Sequence, residues 1–393
     1  MNSVSESTLW WLSRILSLAA ILVIVFEWPG LIGQDATGIK ITDSAEIEIK
    51  DEKLRKEVIV ENNKMLRSYL NKWTGKDRLK ADSAYRVPTG FFIQSLSFQS
   101  SNEVNFTGHI WQKISKDFPD YIDTGFDFPE QVNSSGTEIR ELYCDEVNDT
   151  LLKGWYFDVT VRQVFDYSKY PFDSITAWLR LWPRDFNYDD EILLVPDFDA
   201  YDMTKPTFGL DADIVNTEWN IDKTFFSYHE NEYNTNFGYT GYPVDDTYRE
   251  FYINLGLKRN MIDAIILNLI PLFIVALLLF AQVMTVTGKK NLSDKFGFNT
   301  SGAIATCSAL FFIVLLAHIQ VRQQFLNSPL VYIEYFYLIM YLFILLTALN
   351  AYSFSIGEQK TFNFMFFRDN LIPKLAFWPL LLWMMALATI IVL

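Results

Sequence analysis

The chain has 393 residues and a formal net charge of −14; 50% of its residues are hydrophobic and 16% aromatic. A negative balance with no basic run excludes nucleic acid as a partner. Two cysteines, Cys144 in a polar stretch and Cys307 in an apolar one, exclude a disulfide framework and a CxxC metal site.

The mean hydropathy of +0.10 averages two unlike parts, an acidic, aromatic-rich middle and an oily last third. His109, His229 and His318 are scattered, and no Ser/His/Asp or paired-carboxylate spacing stands out, so no enzyme and no cofactor are expected. The order of the parts predicts an N-terminal signal-anchor or signal peptide over 1–34 and a charged arm over 35–84. A β-sandwich over 85–259 and a membrane domain over 260–393 follow.

Ile15–Phe26 is apolar and follows Arg14. The run is short enough for a signal-peptide core, yet its flanks, Leu9 to Leu12 and Trp28 to Ile32, let it cross a bilayer as an uncleaved anchor, which is the favoured reading. Lys50 to Leu70 reads as a modest helix or linker arm.

From Tyr85 to Arg259 short alternating runs are broken by Pro, Gly, Asn and Asp, the pattern of an antiparallel sandwich. Phe91–Phe98 and Val104–Trp111 make a hairpin about the turn Ser100 to Glu103, and Trp155–Val164, Ile175–Trp182, Phe225–Tyr233 and Tyr248–Leu257 are further strands. Carboxylates cluster at Asp117, Asp120, Asp123 and Asp127; at Asp189, Asp190 and Glu191; and at Asp197, Asp199 and Asp202. These read as a solvated acidic surface or as oxygen-rich loops for Ca²⁺, the middle group being the best candidate for Ca²⁺ modulation.

Four long apolar stretches follow: Met261–Val286, with Asn268 and Pro271 inside it, Gly297–Phe325, Tyr332–Ser353 and Ile372–Leu393. Lys289, Lys290 and Lys295 place the loop after the first of these on the cytoplasmic side, and the sandwich outside. Within Gly297–Phe325 one helical face reads Gly302, Thr306, Leu310, Ile313, Ala317, Gln320, Gln324, polar at its ends and oily in the middle. Such a stripe suits a water-filled pore gated by a hydrophobic ring; small residues for tight helix packing are the alternative.

An outer sandwich running straight into four membrane helices, the first containing proline, resembles the pentameric (Cys-loop-type) ligand-gated ion channels. Three segments carry the resemblance: the hairpin VPTGFFIQSLSFQSSNEVNFTGHIW, the loop FDYSKYPFDSITAWLRLW, and LKRNMIDAIILNLIP leading into the first helix. It covers Tyr85 to Leu393. Neither cysteine that bounds the loop in animal receptors is present, which is similar to prokaryotic members.

The resemblance implies a homopentamer of identical subunits in a bacterial cytoplasmic membrane, in contact with lipid and permeant ions, with the sandwich in the periplasm. It implies that the stripe lines the pore, with Ile313 as the constriction. A pore helix starting nearer Lys295 would instead turn Ser301, Ile304, Ser308 and Phe312 to the axis. Coupling residues carried over are Glu103, Tyr170, Pro171, Phe172, Asp173 and Arg259. Arg259 then faces Asp173 or Glu103, or else anchors at lipid headgroups, and Arg259→Ala is expected to assemble but gate poorly.

The implied agonist site holds Trp182, Tyr188, Tyr233, Phe237, Tyr239, Tyr242 and Tyr248, a cluster suited to a cationic ligand or else to hairpin packing. A small molecule, a proton or a divalent ion is the expected opener, and the acidic outer domain favours cations. The rival readings are a non-conducting membrane receptor on the same fold and a membrane-anchored enzyme or lectin.

Overall fold

A computed structural model of the chain describes residues 5–32, 57–71, 84–132, 137–185, 192–214, 218–238, 246–296, 299–326, 328–356 and 367–392. It divides into two compact units. One is Asp35–Phe165 with Ser174–Lys258; the other is Met1–Gln34, Asp166–Asp173 and Arg259–Leu393.

Among the described residues the first unit forms two five-stranded sheets. Strands β1 (Glu57–Val60), β9 (Trp219–Tyr233), β10 (Asp246–Arg259), β7 (Ser174–Pro183) and β4 (Phe126–Asp127) neighbour one another in that order. The second sheet runs β5 (Glu138–Val147), β6 (Thr150–Arg162), β3 (Glu103–Ser115), β2 (Tyr85–Ser100) and β8 (Ile192–Pro196). Pairing is mostly antiparallel, while β2 with β8 is parallel. The expected hairpin is present and longer than its apolar core suggested, with Ser100 opposite Glu103 at its turn.

Along β3 every second residue from Val104 to Ile114 is buried, so one face of the strand meets the other sheet and the opposite face does not. The interior is aromatic: Phe91 of β2 meets the edge of Phe226 of β9 at 5.5 Å, and Phe226 stacks on Phe251 of β10 at 5.4 Å. Burying each such ring stabilises the fold by roughly 1.5–3 kcal/mol. Gly108 is needed where β3 crosses β2, because a Cβ there would meet the Phe92 carbonyl oxygen.

The charged arm is structured where it is described. Its β1 adds to the sheet through β9, Glu57 meeting His229 at 3.1 Å. The short helix α2 (Asn63–Asn71) stacks Tyr69 on Tyr228 at 5.0 Å. The sandwich therefore takes in residues ahead of Tyr85.

Among the described residues the second unit holds five helices long and apolar enough to cross a membrane, and the chain is a multi-pass membrane protein. Helix α1 spans Glu6–Ile32, much longer than its clean apolar run. Helix α3 (Met261–Thr285) is capped by Asn260 and widens to a π turn over Ile265–Leu269, just before Pro271, whose ring nitrogen cannot donate to the ladder. The connection after it holds its own short helix, α4 (Lys290–Phe296). Helices α5 (Thr300–Gln324), α6 (Tyr332–Ile356) and α7 (Leu371–Val392) complete the unit. At 1.5 Å per residue α5 is about 37 Å long, more than a hydrocarbon layer. Helix α1 neighbours α7, α5 neighbours α6, and α3 touches α5, α6 and α7.

Candidate functional site

The loop between β6 and β7 belongs to the helical unit from Asp166 to Asp173. Short bonds fold it: Asp166 Oδ1 accepts from Ser168 N at 2.8 Å, Tyr170 N donates to Tyr167 O at 2.9 Å, and Phe172 N to Lys169 O at 2.8 Å. The Tyr170–Pro171 bond is cis. Asp173 ends the loop with its side chain 1% exposed, and Arg259 grips it with both arms of its fork, Nε to Oδ1 at 2.7 Å and Nη2 to Oδ2 at 2.9 Å. The guanidinium also lies 4.8 Å from the Tyr170 ring centre.

Burial pushes the Asp173 carboxyl up from the usual carboxylate range, with Arg259 pulling against it. Burial works equally against the Arg259 charge, but Asp173 outweighs it and holds the guanidinium above its ordinary value. Of the two partners expected for Arg259, Asp173 is the one in contact. Glu103 instead pairs with Arg162, its register partner on β6, at 2.5 Å.

The same loop reaches three helices. Tyr332 N and Ile333 N, two of the N–H groups that open α6, donate to Ser168 O at 2.8 Å and Tyr170 O at 3.3 Å, so loop carbonyls satisfy the start of the helix. The Tyr170 ring packs on Phe325, just past α5, at 4.7 Å. The Tyr170 hydroxyl accepts from Asn268 Nδ2 of α3 at 3.1 Å, and Asn268 Oδ1 accepts from Tyr337 of α6 at 3.3 Å.

On α5 the expected stripe runs along one side of a continuous helix but is unevenly exposed. Leu310 is 4% exposed and joins Ala303, Cys307, Val314 and Val321 on the buried side, because it lies three residues after Cys307 and four before Val314. Gly302, Thr306, Ile313, Gln320 and Gln324 are exposed, and Ala317 is half-buried. Ser301, Ile304, Ser308 and Phe312 of the other register are exposed as well. The helix starts at Thr300, capped by Asn299 Oδ1 on Gly302 N at 2.5 Å, and Lys295 lies in the separate helix α4.

In the sandwich, Trp182 of β7, Tyr233 of β9, Phe237 beyond it and Tyr248 of β10 form one aromatic cluster. Tyr233 is edge-on to Trp182 at 6.0 Å, to Phe237 at 5.5 Å and to Tyr248 at 5.5 Å. Tyr188, Tyr239 and Tyr242 lie outside the described residues, as do Asp189, Asp190 and Glu191.

Beneath the rings sits Glu250, a residue that sequence reasoning missed. Its Oε1 accepts from Trp182 Nε1 and from the Tyr233 hydroxyl, each at 2.6 Å, and its Oε2 from Arg180 Nη1 at 2.7 Å and from Asn231. Arg180 also pairs with Glu130 and lies 5.5 Å from the Trp182 ring centre. Burial, and then Glu250, push the Tyr233 phenol up; burial, with Glu250 adding, lifts Tyr252 to about 12. The cluster thus sets π faces around two carboxylates and one guanidinium.

Asp197 accepts from Trp111 Nε1 at 2.9 Å and Lys113 Nζ at 2.8 Å. No group of three His, Cys, Asp or Glu side chains able to hold a metal ion occurs among the described residues. A second missed residue, Glu334, is 1% exposed in α6, accepts from Val331 N at 2.8 Å and lies 3.2 Å from His318 Nε2 and 3.4 Å from Arg322 Nη1. Its signal was in the sequence: it is an acidic residue at the head of an otherwise apolar span.

A scan against models of known protein families finds no match to this chain, and a search of curated proteins finds none either.

Proposed function

We propose that the chain is a subunit of a homopentameric, ligand-gated, cation-conducting channel in a bacterial cytoplasmic membrane, with its sandwich in the periplasm and α5 of each subunit around the pore. The observation that carries this reading is the loop Asp166–Asp173. One short segment, continuous with two strands, holds Arg259 through Asp173, receives the first N–H groups of α6, and packs on α3 and on the end of α5. A displacement of those strands would pass to three membrane helices through that segment, which is the connection a gated pore requires. The exposed Thr306, Ile313 and Gln320 of α5 support a lumen with polar ends and an apolar middle.

The agonist site of this reading is the cluster of Trp182, Tyr233, Phe237 and Tyr248. Its π faces favour an organic cation, while Glu250, with both oxygens engaged, holds Trp182 and Tyr233 in place rather than meeting the ligand. A non-conducting receptor for the same ligand is the second reading, favoured by the buried Leu310, which interrupts the stripe.

The experiment is current across planar bilayers holding the purified chain, with pH, Ca²⁺ and small amines varied, beside an Ile313→Ala form. Conduction by the wild type together with a leak or shifted gating in Ile313→Ala is the expected outcome. Silence of both forms under every condition, with five subunits still assembled, selects the receptor.

A further inference from the structure

Helix α1 lies outside the segments that carry the family resemblance, and nothing in the proposed function uses it. Its packing is specific. Ser13, Ser17, Ala20, Ile24 and Trp28 recur at steps of three and four and are the covered side of the helix, with Ala20 fully buried. The opposite side is oil: Leu22 is 68% and Phe26 81% exposed, as suits lipid contact.

Ser13 Oγ donates to Leu375 O of α7 at 2.6 Å. At the other end Trp28 does three things at once. Its Nε1 donates to the Tyr332 hydroxyl at 3.3 Å, its ring lies 5.3 Å from Phe172 of the 166–173 loop, and through Tyr332 it joins the bond to Thr389 of α7 at 2.7 Å. Tyr332 is also the residue whose backbone N–H is held by Ser168 O.

We infer that α1 stays in the working protein as a fifth membrane helix of the subunit, and that Trp28 is a positioning residue that fixes the Asp166–Asp173 loop against the start of α6. A leader destined for removal needs only an apolar run. It needs neither a stripe of small residues fitted to α7 nor a ring inserted beside Phe172 and Tyr332. An indole suits that place because one edge donates a hydrogen bond while the rest packs on an aromatic ring. Phe172 and Tyr332 also meet directly at 5.9 Å, and Trp28 braces both from a third element. The inference about the loop stands apart from conduction; only its consequence for gating rests on the channel reading.

The test uses the full chain in nanodiscs of phosphatidylethanolamine and phosphatidylglycerol. Intact mass reports whether α1 is retained; a mature chain that begins beyond residue 32 overturns the inference. Hydrogen exchange of the Tyr170, Phe172 and Tyr332 amides is then compared in wild type, Trp28→Leu, Trp28→Phe and, as a lipid-face control, Leu22→Ala.

We expect exchange to quicken by up to about tenfold in Trp28→Leu, the scale of interhelical side-chain contacts in bilayers. Trp28→Phe, which keeps the ring and loses the donor, should fall between, and Leu22→Ala should match wild type. Unchanged exchange in both Trp28 variants overturns the positioning role. Should Trp28→Leu fail to fold, Trp28→Phe alone decides by the same reading. In bilayers the half-maximal agonist concentration should shift in the same order. A wild type that never conducts removes the channel reading and leaves the exchange result to judge Trp28.

Discussion

In the sandwich the side chains turned inward are Phe91, Phe106, Phe157 and Phe226, while Lys116, Glu146 and Asp149 face out. In the helical unit the outward side chains are Leu22, Phe26, Leu267 and Leu316, and Asn268, Glu334 and Thr389 lie inside. The first arrangement answers to water: removing aromatic surface from solvent drives it. The second cannot draw on that force once its surroundings are lipid, so its helices depend on close packing and on polar groups that find one another. Each unit nevertheless buries a carboxylate with both oxygens engaged, Glu250 in one and Asp173 in the other, and each sets an arginine against it. A fully partnered carboxylate is compatible with either solvent; what differs is how many neighbours it organises.

The strongest way to break the comparison is Glu250→Ala. It removes the acceptor shared by Arg180, Trp182, Tyr233 and Asn231 and leaves Arg180 with Glu130. Losing one side of a buried ion pair costs about 3–5 kcal/mol. A denaturant titration of the full chain in detergent, followed by tryptophan fluorescence, should show this. A loss below about 1 kcal/mol would mean that the cluster stands without its carboxylate.

Arg259→Ala sharpens it through pH. Asp173 is already lifted by burial, so without Arg259 it takes up a proton more readily. A carboxyl whose folded pKa exceeds its unfolded value adds stability below the unfolded pKa and loses it as pH rises through the folded one. The variant should therefore be least stable at high pH, by about 3 kcal/mol relative to wild type, and recover in acid. Melting curves across pH test this, and adding Asp173→Asn should flatten the profile; a flat profile in Arg259→Ala itself would contradict it.

The smallest effect belongs inside the bilayer. Tyr332→Phe removes the bonds to Thr389 and from Trp28 and should cost about 0.6 kcal/mol, up to roughly 1.7. Combined with Thr389→Val, the two losses should fall short of their sum when unfolding is measured in mixed micelles. Full additivity would deny the bond.

The inward face of β3 is legible in the sequence because its alternation survives intact, and so are the apolar spans and the turn between Ser100 and Glu103. Strand β5 is not. From Glu138 to Val147 it has no buried residue, so no period of two marks it, and pairing with β6 alone makes it a strand. Strand β1 is four residues lying among the charges of the arm, and its partner β9 is about 170 positions further along the chain, a long loop to close. Asp173 and Arg259 were legible as a pair because a resemblance brought them together. Glu250 and Trp28 were not, since a lone carboxylate in a strand and a tryptophan at a helix end announce no partner.

The hydroxyls of α5 have a further consequence. Thr306 Oγ1 donates to Gly302 O and Ser308 Oγ to Ile304 O, both at 2.9 Å, so each returns its hydrogen to the turn below. A side chain already satisfied by its own backbone has little preference between oil and water. Thr306 and Ser308 stand on different sides of the helix, and each can face either medium at small cost. The Thr306–Ser308 stretch of α5 can therefore turn about the long axis without stranding either hydroxyl, whereas His318 and Arg322 further along are tied to Glu334 of α6 and set the limit of any such rotation.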